Sequence, residues 1–315
     1  MYITTDKLCQ KLIVILGPTA SGKSDLAVEL ARRFDGEIVS ADSRQVYKGM
    51  DIGSGKITRK EMVGVPHHLL DVASPKRRFT VAQYQKLAKE KIKDICRRGK
   101  LPILCGGTGL YIQSVVDDLA IPEVPPDAKL RAQMEKLNAG ELFKKLKKLD
   151  PRRAKNIDCH NRRRLIRALE IVIKTGKPVP QSLEIRSREL SRSYLEKINI
   201  LQIGITAPKN QLKTKIKKRL LKRLRQGMIA EVKKLHAGGV SWKRLEEFGL
   251  EYRYIARYLR GQIAKQEMIS QLEKEINQYA KRQMTWFGRD KRIRWIKNYK
   301  EAEKLTKDFL AKRFD

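Results

Sequence analysis

Residues Gly17-Pro18-Thr19-Ala20-Ser21-Gly22-Lys23-Ser24 have the spacing G-x-x-x-x-G-K-[ST], which suits a chain of phosphates. Gly17 and Gly22 let the backbone curl until successive N–H groups face anionic oxygens. A helix starting near Lys23 adds the positive end of its dipole, Lys23 adds a mobile charge, and the Ser24 hydroxyl is placed to ligate a Mg²⁺ shared with the phosphates. A second candidate is Asp42, in Ala41-Asp42-Ser43-Arg44-Gln45-Val46-Tyr47. Its carboxylate could be a Mg²⁺ ligand, a general base toward a second substrate, or a helix N-cap, and spacing does not choose among the three. Gly106-Gly107-Thr108-Gly109-Leu110-Tyr111 is a third small-residue turn. It follows Cys105 at a place where an ATP hydrolase often carries an Mg²⁺-binding Asp, which speaks against nucleotide hydrolysis.

Strands must deliver all three turns to one edge. The apolar runs 12 to 16, 37 to 40 and 101 to 105 read as buried strands, with helical spacing over Val81 to Arg98 and after Lys23. Alternating strands and helices predict an α/β fold of the P-loop type, a mostly parallel sheet flanked by helices. Ligands then sit outside the carboxyl ends of the strands, where Asp42 shares a crevice with the phosphate loop. Ile121-Pro122-Glu123-Val124-Pro125-Pro126 breaks the pattern, and 127 to 195 reads as helices only. A strand-like run returns at 198 to 205, followed by helical stretches at 209 to 237, 251 to 260 and 265 to 287. We therefore expect a catalytic core of 1–120 and 197–315 carrying an all-helical insertion over 121–196.

Charge divides along the same line. Of 70 Lys+Arg and 35 Asp+Glu, residues 1–120 hold 20 and 13, a net of +7, and residues 121–315 hold 50 and 22, a net of +28. A polyanion, nucleic acid above all, should meet the later part. Lys209 to Arg225 has nine basic residues and no acidic one, either as a solvated helix face or as a lid whose arginines reach phosphates. Lys281-Arg282-Gln283-Met284-Thr285-Trp286-Phe287 mixes bases with aromatics, for core packing or for stacking on unpaired bases. Four scattered cysteines form no C-x-x-C pair, and His67-His68 lacks a partner at metal-ligand spacing. With no signal-peptide pattern at Met1 to Asp6, a reduced, cytosolic protein is expected, with no membrane partner and a monomer as the default.

Taken together, Gly17 to Ser24, Ala41 to Tyr47, Asp51-Ile52-Gly53, Pro66-His67-His68-Leu69-Leu70-Asp71, Gly106 to Tyr111, Arg163 to Glu170 and Arg282 to Trp286 resemble the bacterial tRNA isopentenyltransferase (tRNA dimethylallyltransferase) family in order and spacing. The resemblance spans nearly the whole chain. It implies transfer of a dimethylallyl group from dimethylallyl diphosphate to N6 of the adenosine 3′ to the anticodon, position 37 of tRNA, with Mg²⁺ as cofactor. It further implies catalytic roles for Asp42, Thr19 and Lys23, and diphosphate binding by Gly17, Pro18, Thr19, Ala20, Ser21, Gly22, Lys23, Ser24 and Arg219. Contacts to the tRNA anticodon stem-loop are implied for Asp42, Ser43, Arg44, Gln45, Thr108, Arg131, Arg163, Arg164, Leu165, Ile166 and Arg167. Ser24 stands where many relatives carry Thr, and Glu251 stands where the family pattern Gly-Tyr-Arg has glycine. Three rivals remain open: prenylation of free adenine nucleotides, an ATP-dependent small-molecule kinase, and an RNA-binding protein without catalysis. The basic second half speaks against the first, since a mononucleotide needs no such surface.

Overall fold

The computed structural model describes residues 10–122, 124–180 and 198–312. In chain order the elements are β1 (Lys11–Leu16), α1 (Lys23–Arg33), β2 (Gly36–Ala41), α2 (Arg59–Met62), β3 (His67–His68), α3 (Val81–Arg97), β4 (Leu101–Gly106) and α4 (Gly109–Val116). Then come α5 (Ala128–Met134), α6 (Ala139–Leu149), α7 (Pro151–Lys155), α8 (Arg162–Thr175), β5 (Asn199–Ile205), α9 (Lys209–Arg225) and α10 (Met228–Ala237). The chain continues with α11 (Trp242–Phe248), α12 (Leu250–Leu259), α13 (Lys265–Phe287), β6 (Arg294–Ile296) and α14 (Tyr299–Ala311). The strands form one sheet in the order β3-β2-β4-β1-β5-β6, with every pair parallel.

Helices on both faces explain why 12 to 16 reads as an unbroken apolar run: all six residues of β1, Lys11 included, are buried. Its side chains alternate between two cores, as a pleated strand requires. Leu12, Val14 and Leu16 join Tyr84, Ala88, Ile92 and Ile95 of α3, while Ile13 and Ile15 join Leu26, Ala27, Leu30 and Ala31 of α1. Reversing that alternation would turn both apolar sets the wrong way. Helix α3 begins at a capping box, in which Thr80 accepts from the Gln83 amide and the Gln83 side chain accepts from that of Thr80.

The described residues divide into two compact units, one built from the chain up to 116 and from 198 onward, the other starting at 117. The sequence break at 121 thus lies a few residues inside the second unit. Within 127–180 the regular elements are the helices α5 to α8, packed around Met134, Leu142, Leu146, Leu165 and Leu169. The expected helical stretch from 181 to 195 lies outside the described residues, as do Cys9, Glu123 and the segment Met1 to Asp6. Elsewhere the structure adds elements that the sequence did not predict, among them the helices α2, α4, α11 and α14. The stretch 209 to 237 is two helices, because Gly227 takes a φ of 97° and ends the first. Two short edge strands, β3 and β6, have no counterpart in the sequence reading.

Candidate active site

Strand register delivers three loops to one place. Leu16 pairs with Gly106 and Gly106 with Ala41, so the residues that follow, Gly17, Asp42 and Gly107, emerge side by side at the carboxyl edge of the sheet. Such close approach needs glycine. A Cβ on Gly106 would lie 2.2 Å from the Ala41 carbonyl oxygen, and one on Gly17 would lie 2.2 Å from that of Ile205.

The phosphate loop is built for an anion. Its Ser21 amide donates to the Pro18 carbonyl at 3.3 Å, closing the turn, and Gly22 takes a φ of 92° at the N-cap of α1. Ala20 also sits in the left-handed region, at a φ of 63°, which costs an L-residue roughly 1–2 kcal/mol. Strain of that kind collects at ligand sites. Among the described residues, the amides of Gly22, Lys23 and Ser24 have no acceptor, and the buried Ser21 Oγ has no partner. Orphan donors at a helix start call for an anionic ligand. Lys23 is half-buried and donates from Nζ to the Pro18 carbonyl at 3.2 Å. Burial pushes its pKa down; Arg219 lowers it further, and Asp42 opposes the shift. Neighbouring Cys105 offers no negative charge at pH 7, because burial pushes its thiol up to about 12.

Asp42 divides its carboxylate between two tasks. Its Oδ1 accepts from the Arg44 amide at 2.8 Å and the Gln45 amide at 3.3 Å, so the capping reading holds for a turn rather than for a helix. Its Oδ2 carries no hydrogen bond among the described residues and is available to a ligand. Thr108 supports the turn by accepting from the Ser43 amide at 3.0 Å. The expected RNA-contacting side chains here are already engaged. Arg44 donates from Nε to the Phe248 carbonyl at 2.8 Å and from Nη1 to that of Ser43 at 3.0 Å, and Gln45 spans Ser40 and the Gly55 carbonyl.

Helix α9 divides its nine basic residues by exposure. All six lysines and Arg225 are exposed, whereas Arg219 is half-buried and Arg223 is buried. Arg219 donates from Nη2 to the Gly55 carbonyl at 3.1 Å, the same oxygen that receives Gln45. Burial pushes its pKa down, with Arg223 adding to the shift and Glu251, Glu61 and Asp42 resisting it. Lys23, Asp42 and Arg219 therefore share one electrostatic neighbourhood.

Helix α13 contributes a stripe that overlaps the basic and aromatic segment Lys281 to Phe287 and begins just before it, at Tyr279. Tyr279, Gln283 and Trp286, at i, i+4 and i+7, face Thr108, Gly107 and Gly109 in turn. Gln283 is 5% exposed; its Nε2 donates to the Gly107 carbonyl at 2.8 Å and its Oε1 accepts from the Thr19 amide at 2.9 Å. It thereby ties the phosphate loop to the turn after β4. Tyr279 is pushed up to about 12 by burial, with the Asp42 charge adding to the effect, so its phenol stays protonated. Trp286 packs against the main core, in agreement with the packing reading.

The remaining expected tRNA contacts belong to the helical unit. Arg163 and Arg164 are exposed on α8. Leu165 is fully buried and Ile166 is 9% exposed, so the expectation of contact with RNA is corrected for these two side chains: they fill the unit's core. Arg131 and Arg167 both bind the buried Glu170, at 2.6 Å each. Burial pushes Glu170 up, but hydrogen bonds from Arg131, the Asp127 amide and Arg167 outweigh it and hold the carboxyl at about 2.

The chain is similar to known proteins along nearly all of its length. The family model described as IPP transferase matches residues 45–291. A tRNA dimethylallyltransferase of Anoxybacillus flavithermus is 42% identical over 288 residues, 91% of this chain and 90% of that protein. One from Citrifermentans bemidjiense is 41% identical over 312 residues, 98% and 97% of the two chains. Among solved structures, the full-length tRNA isopentenylpyrophosphate transferase of Bacillus halodurans superposes with a TM-score of 0.69 at 37% identity, covering 96% of each chain. A eukaryotic dimethylallyltransferase captured acting on tRNA gives a TM-score of 0.79 at 26% identity, covering 97% of this chain and 80% of that one. With the family model spanning most of its length and relatives above 40% identity along nearly all of it, the chain belongs to the IPP transferase family, the tRNA dimethylallyltransferases.

Proposed function

We propose that the protein transfers the dimethylallyl group of dimethylallyl diphosphate to N6 of adenosine 37 in tRNA. The observation that carries this reading is the free Oδ2 of Asp42 in the electrostatic neighbourhood of two partly desolvated cations, Lys23 of the orphan-amide loop and Arg219 of α9. Two cations and a row of N–H groups suit a diphosphate, and one open carboxylate suits a single proton. In the reaction the N6 nitrogen bonds to C1 of the allyl group as the bond from C1 to the diphosphate oxygen breaks. The N6 proton passes to Asp42 Oδ2, and the electron pair leaves with the diphosphate. Lys23, Arg219, Ser21 and the loop amides stabilise the charge that grows on the departing group. Thr19, whose amide is held by Gln283, lies at the entrance to that loop.

Ser24 fits a Mg²⁺ ligand: its side chain is exposed on the first turn of α1 and carries no hydrogen bond among the described residues. The turn directly after β4, Gly107 to Gly109, holds no acid, so a Mg²⁺ here would be held by this hydroxyl, diphosphate oxygens and water, an arrangement that the ion accepts. When bound it adds charge neutralisation on the leaving group. Exposed Arg163 and Arg164, with the lysines of α9, supply phosphate contacts to the anticodon stem-loop, and the target base leaves its stack to reach Asp42. No described helix is long and apolar enough to cross a membrane, and we place the enzyme in the cytosol as a monomer.

The test is purified protein with labelled dimethylallyl diphosphate and either unmodified tRNA or AMP as acceptor. Label should enter tRNA alone; label in neither acceptor rejects the reading, and label in AMP alone shifts it to free nucleotides. Asp42→Asn should lower kcat by about 10²–10⁴-fold while leaving tRNA binding nearly unchanged.

A further inference from the structure

The turn from Asp51 to Gly55 sorts its peptide groups by polarity. Three successive amides donate to one carboxylate, that of Glu231 on α10: Asp51 and Ile52 to Oε2 at 2.9 and 2.6 Å, and Gly53 to Oε1 at 2.9 Å. The Tyr252 hydroxyl of α12 donates to the same Oε1 at 3.0 Å. The carbonyls of the turn meet cations instead. Gly53 accepts from Arg223 Nη1 at 2.8 Å, and Gly55 accepts from Arg219 Nη2 at 3.1 Å. Neither glycine has room to spare, since a Cβ on Gly53 would lie 2.7 Å from the Tyr252 ring and one on Gly55 would lie 2.5 Å from Arg219 Nη2.

The two arginines are one helical turn apart but are used differently. Arg223 is paired with Glu251 at 2.8 Å, both side chains being buried, so its charge is neutralised inside the protein. Here lies the role of the acid that stands in place of the family's glycine. Arg219 has the Gly55 carbonyl as its one hydrogen-bond acceptor among the described residues and no ion pair, which leaves its charge for a ligand.

We propose that Glu231 is a positioning residue for the departure of diphosphate: by latching the Asp51–Gly53 amides it fixes the Gly55 carbonyl, and that carbonyl sets where the Arg219 guanidinium rests. This rests on the reading of Arg219 as a diphosphate-binding cation. A carboxylate that accepts four donors on two oxygens is a stiff anchor, because each bond is charge-assisted and none can be taken up by an amide NH₂. Glu231→Gln keeps the shape and loses half of the acceptor capacity.

The experiment is a double-mutant cycle of Glu231→Gln and Arg219→Ala in the full chain, read as kcat/KM for dimethylallyl diphosphate at saturating tRNA and as inhibition by inorganic pyrophosphate. Glu231→Gln alone should lower kcat/KM by about 10–100-fold, the scale of a small misplacement in an aligned site, and weaken pyrophosphate inhibition to a similar degree, with KM for tRNA unchanged. In the Arg219→Ala background the same substitution should cost less than about twofold. An equal cost in both backgrounds overturns the proposal, since a general fold defect ignores Arg219. If Arg219→Ala leaves kcat/KM and pyrophosphate inhibition intact, the assignment of Arg219 itself fails and the latch has nothing to position. Tyr252→Phe removes one donor from the same carboxylate and guards against misfolding of the first variant. It should shift both readouts in the same direction by a smaller factor, and no shift at all counts against the latch.

Discussion

Helices α8 and α9 are both arginine- and lysine-rich, yet they spend their charge in opposite ways. On α8, Arg167 is bound to Glu170 and Arg162 donates to the carbonyls of Glu135 and Leu137, so Arg163 and Arg164 are left to face solvent. On α9 the exposed basic residues are the lysines and Arg225, while Arg219 turns inward without an ion pair among the described residues. On the proposed function an outward arginine would work as one of many phosphate contacts, whereas the half-buried Arg219 would act on a single group at short range. Composition does not separate these cases. What separates them is whether an acid or a carbonyl receives the guanidinium.

Of the substitutions on these two helices, Arg219→Ala should have the largest effect, lowering kcat/KM for dimethylallyl diphosphate by about 10²–10³-fold with little change in tRNA affinity; a loss confined to tRNA binding would erase the contrast between the helices. Next comes Glu170→Ala, which strands two arginines around an empty site. It should destabilise the helical unit by about 2 kcal/mol, below the roughly 3–5 kcal/mol of a fully buried pair because Arg131 and Arg167 are partly exposed. Urea unfolding followed by far-UV circular dichroism measures it.

The same carboxyl gives a pH dependence. Because Glu170 is held at about 2 against 4.5 in the unfolded chain, its stabilising contribution is complete above pH 4.5 and fades as the pH falls toward 2. Glu170→Gln should flatten the acid limb of the unfolding curve. The smallest effect is expected for Arg163→Ala and Arg164→Ala, each weakening tRNA binding modestly and reducing the slope of log K against log salt by about 1. A change in the chemical step measured at saturating tRNA would show that these exposed residues do more than hold phosphates.

Long elements with strong periodicity were legible in the sequence: β1, α1, α3, β4 and α13 lie where the apolar spacing puts them. The edge strands β3 and β6, of two and three residues, were not. His67-His68 has no apolar alternation, and its strand exists through pairing with Ile38 and Val39. The split of 209 to 237 was hidden because apolar residues continue at helical spacing on either side of Gly227, and one glycine inside a helix is often tolerated. Motif chemistry exposed the phosphate loop and Asp42. Gln283 and Glu231 could not be read the same way, because their partners lie 264 and about 180 residues away and no local spacing encodes such contacts. The stripe Tyr279, Gln283, Trp286 was the available signal, since i, i+4, i+7 marks one face of a helix. Leu165 and Ile166 show the converse: a family motif on a helix includes residues that serve the helix's own packing.

The bond between Gln283 and the Thr19 amide joins residues 264 positions apart. A ribosome makes the glycine-rich segment early and its fastener late, separated by about 15–50 s at ordinary rates of synthesis. Until Ile205 is made the nascent segment also lacks β5, the strand whose carbonyl abuts Gly17, and from there to residue 283 it still lacks the glutamine that pins it. Newly made chains therefore gain a finished cradle only once α13 has been made, and fragments ending before α13 should fail to retain pyrophosphate even with every motif glycine present.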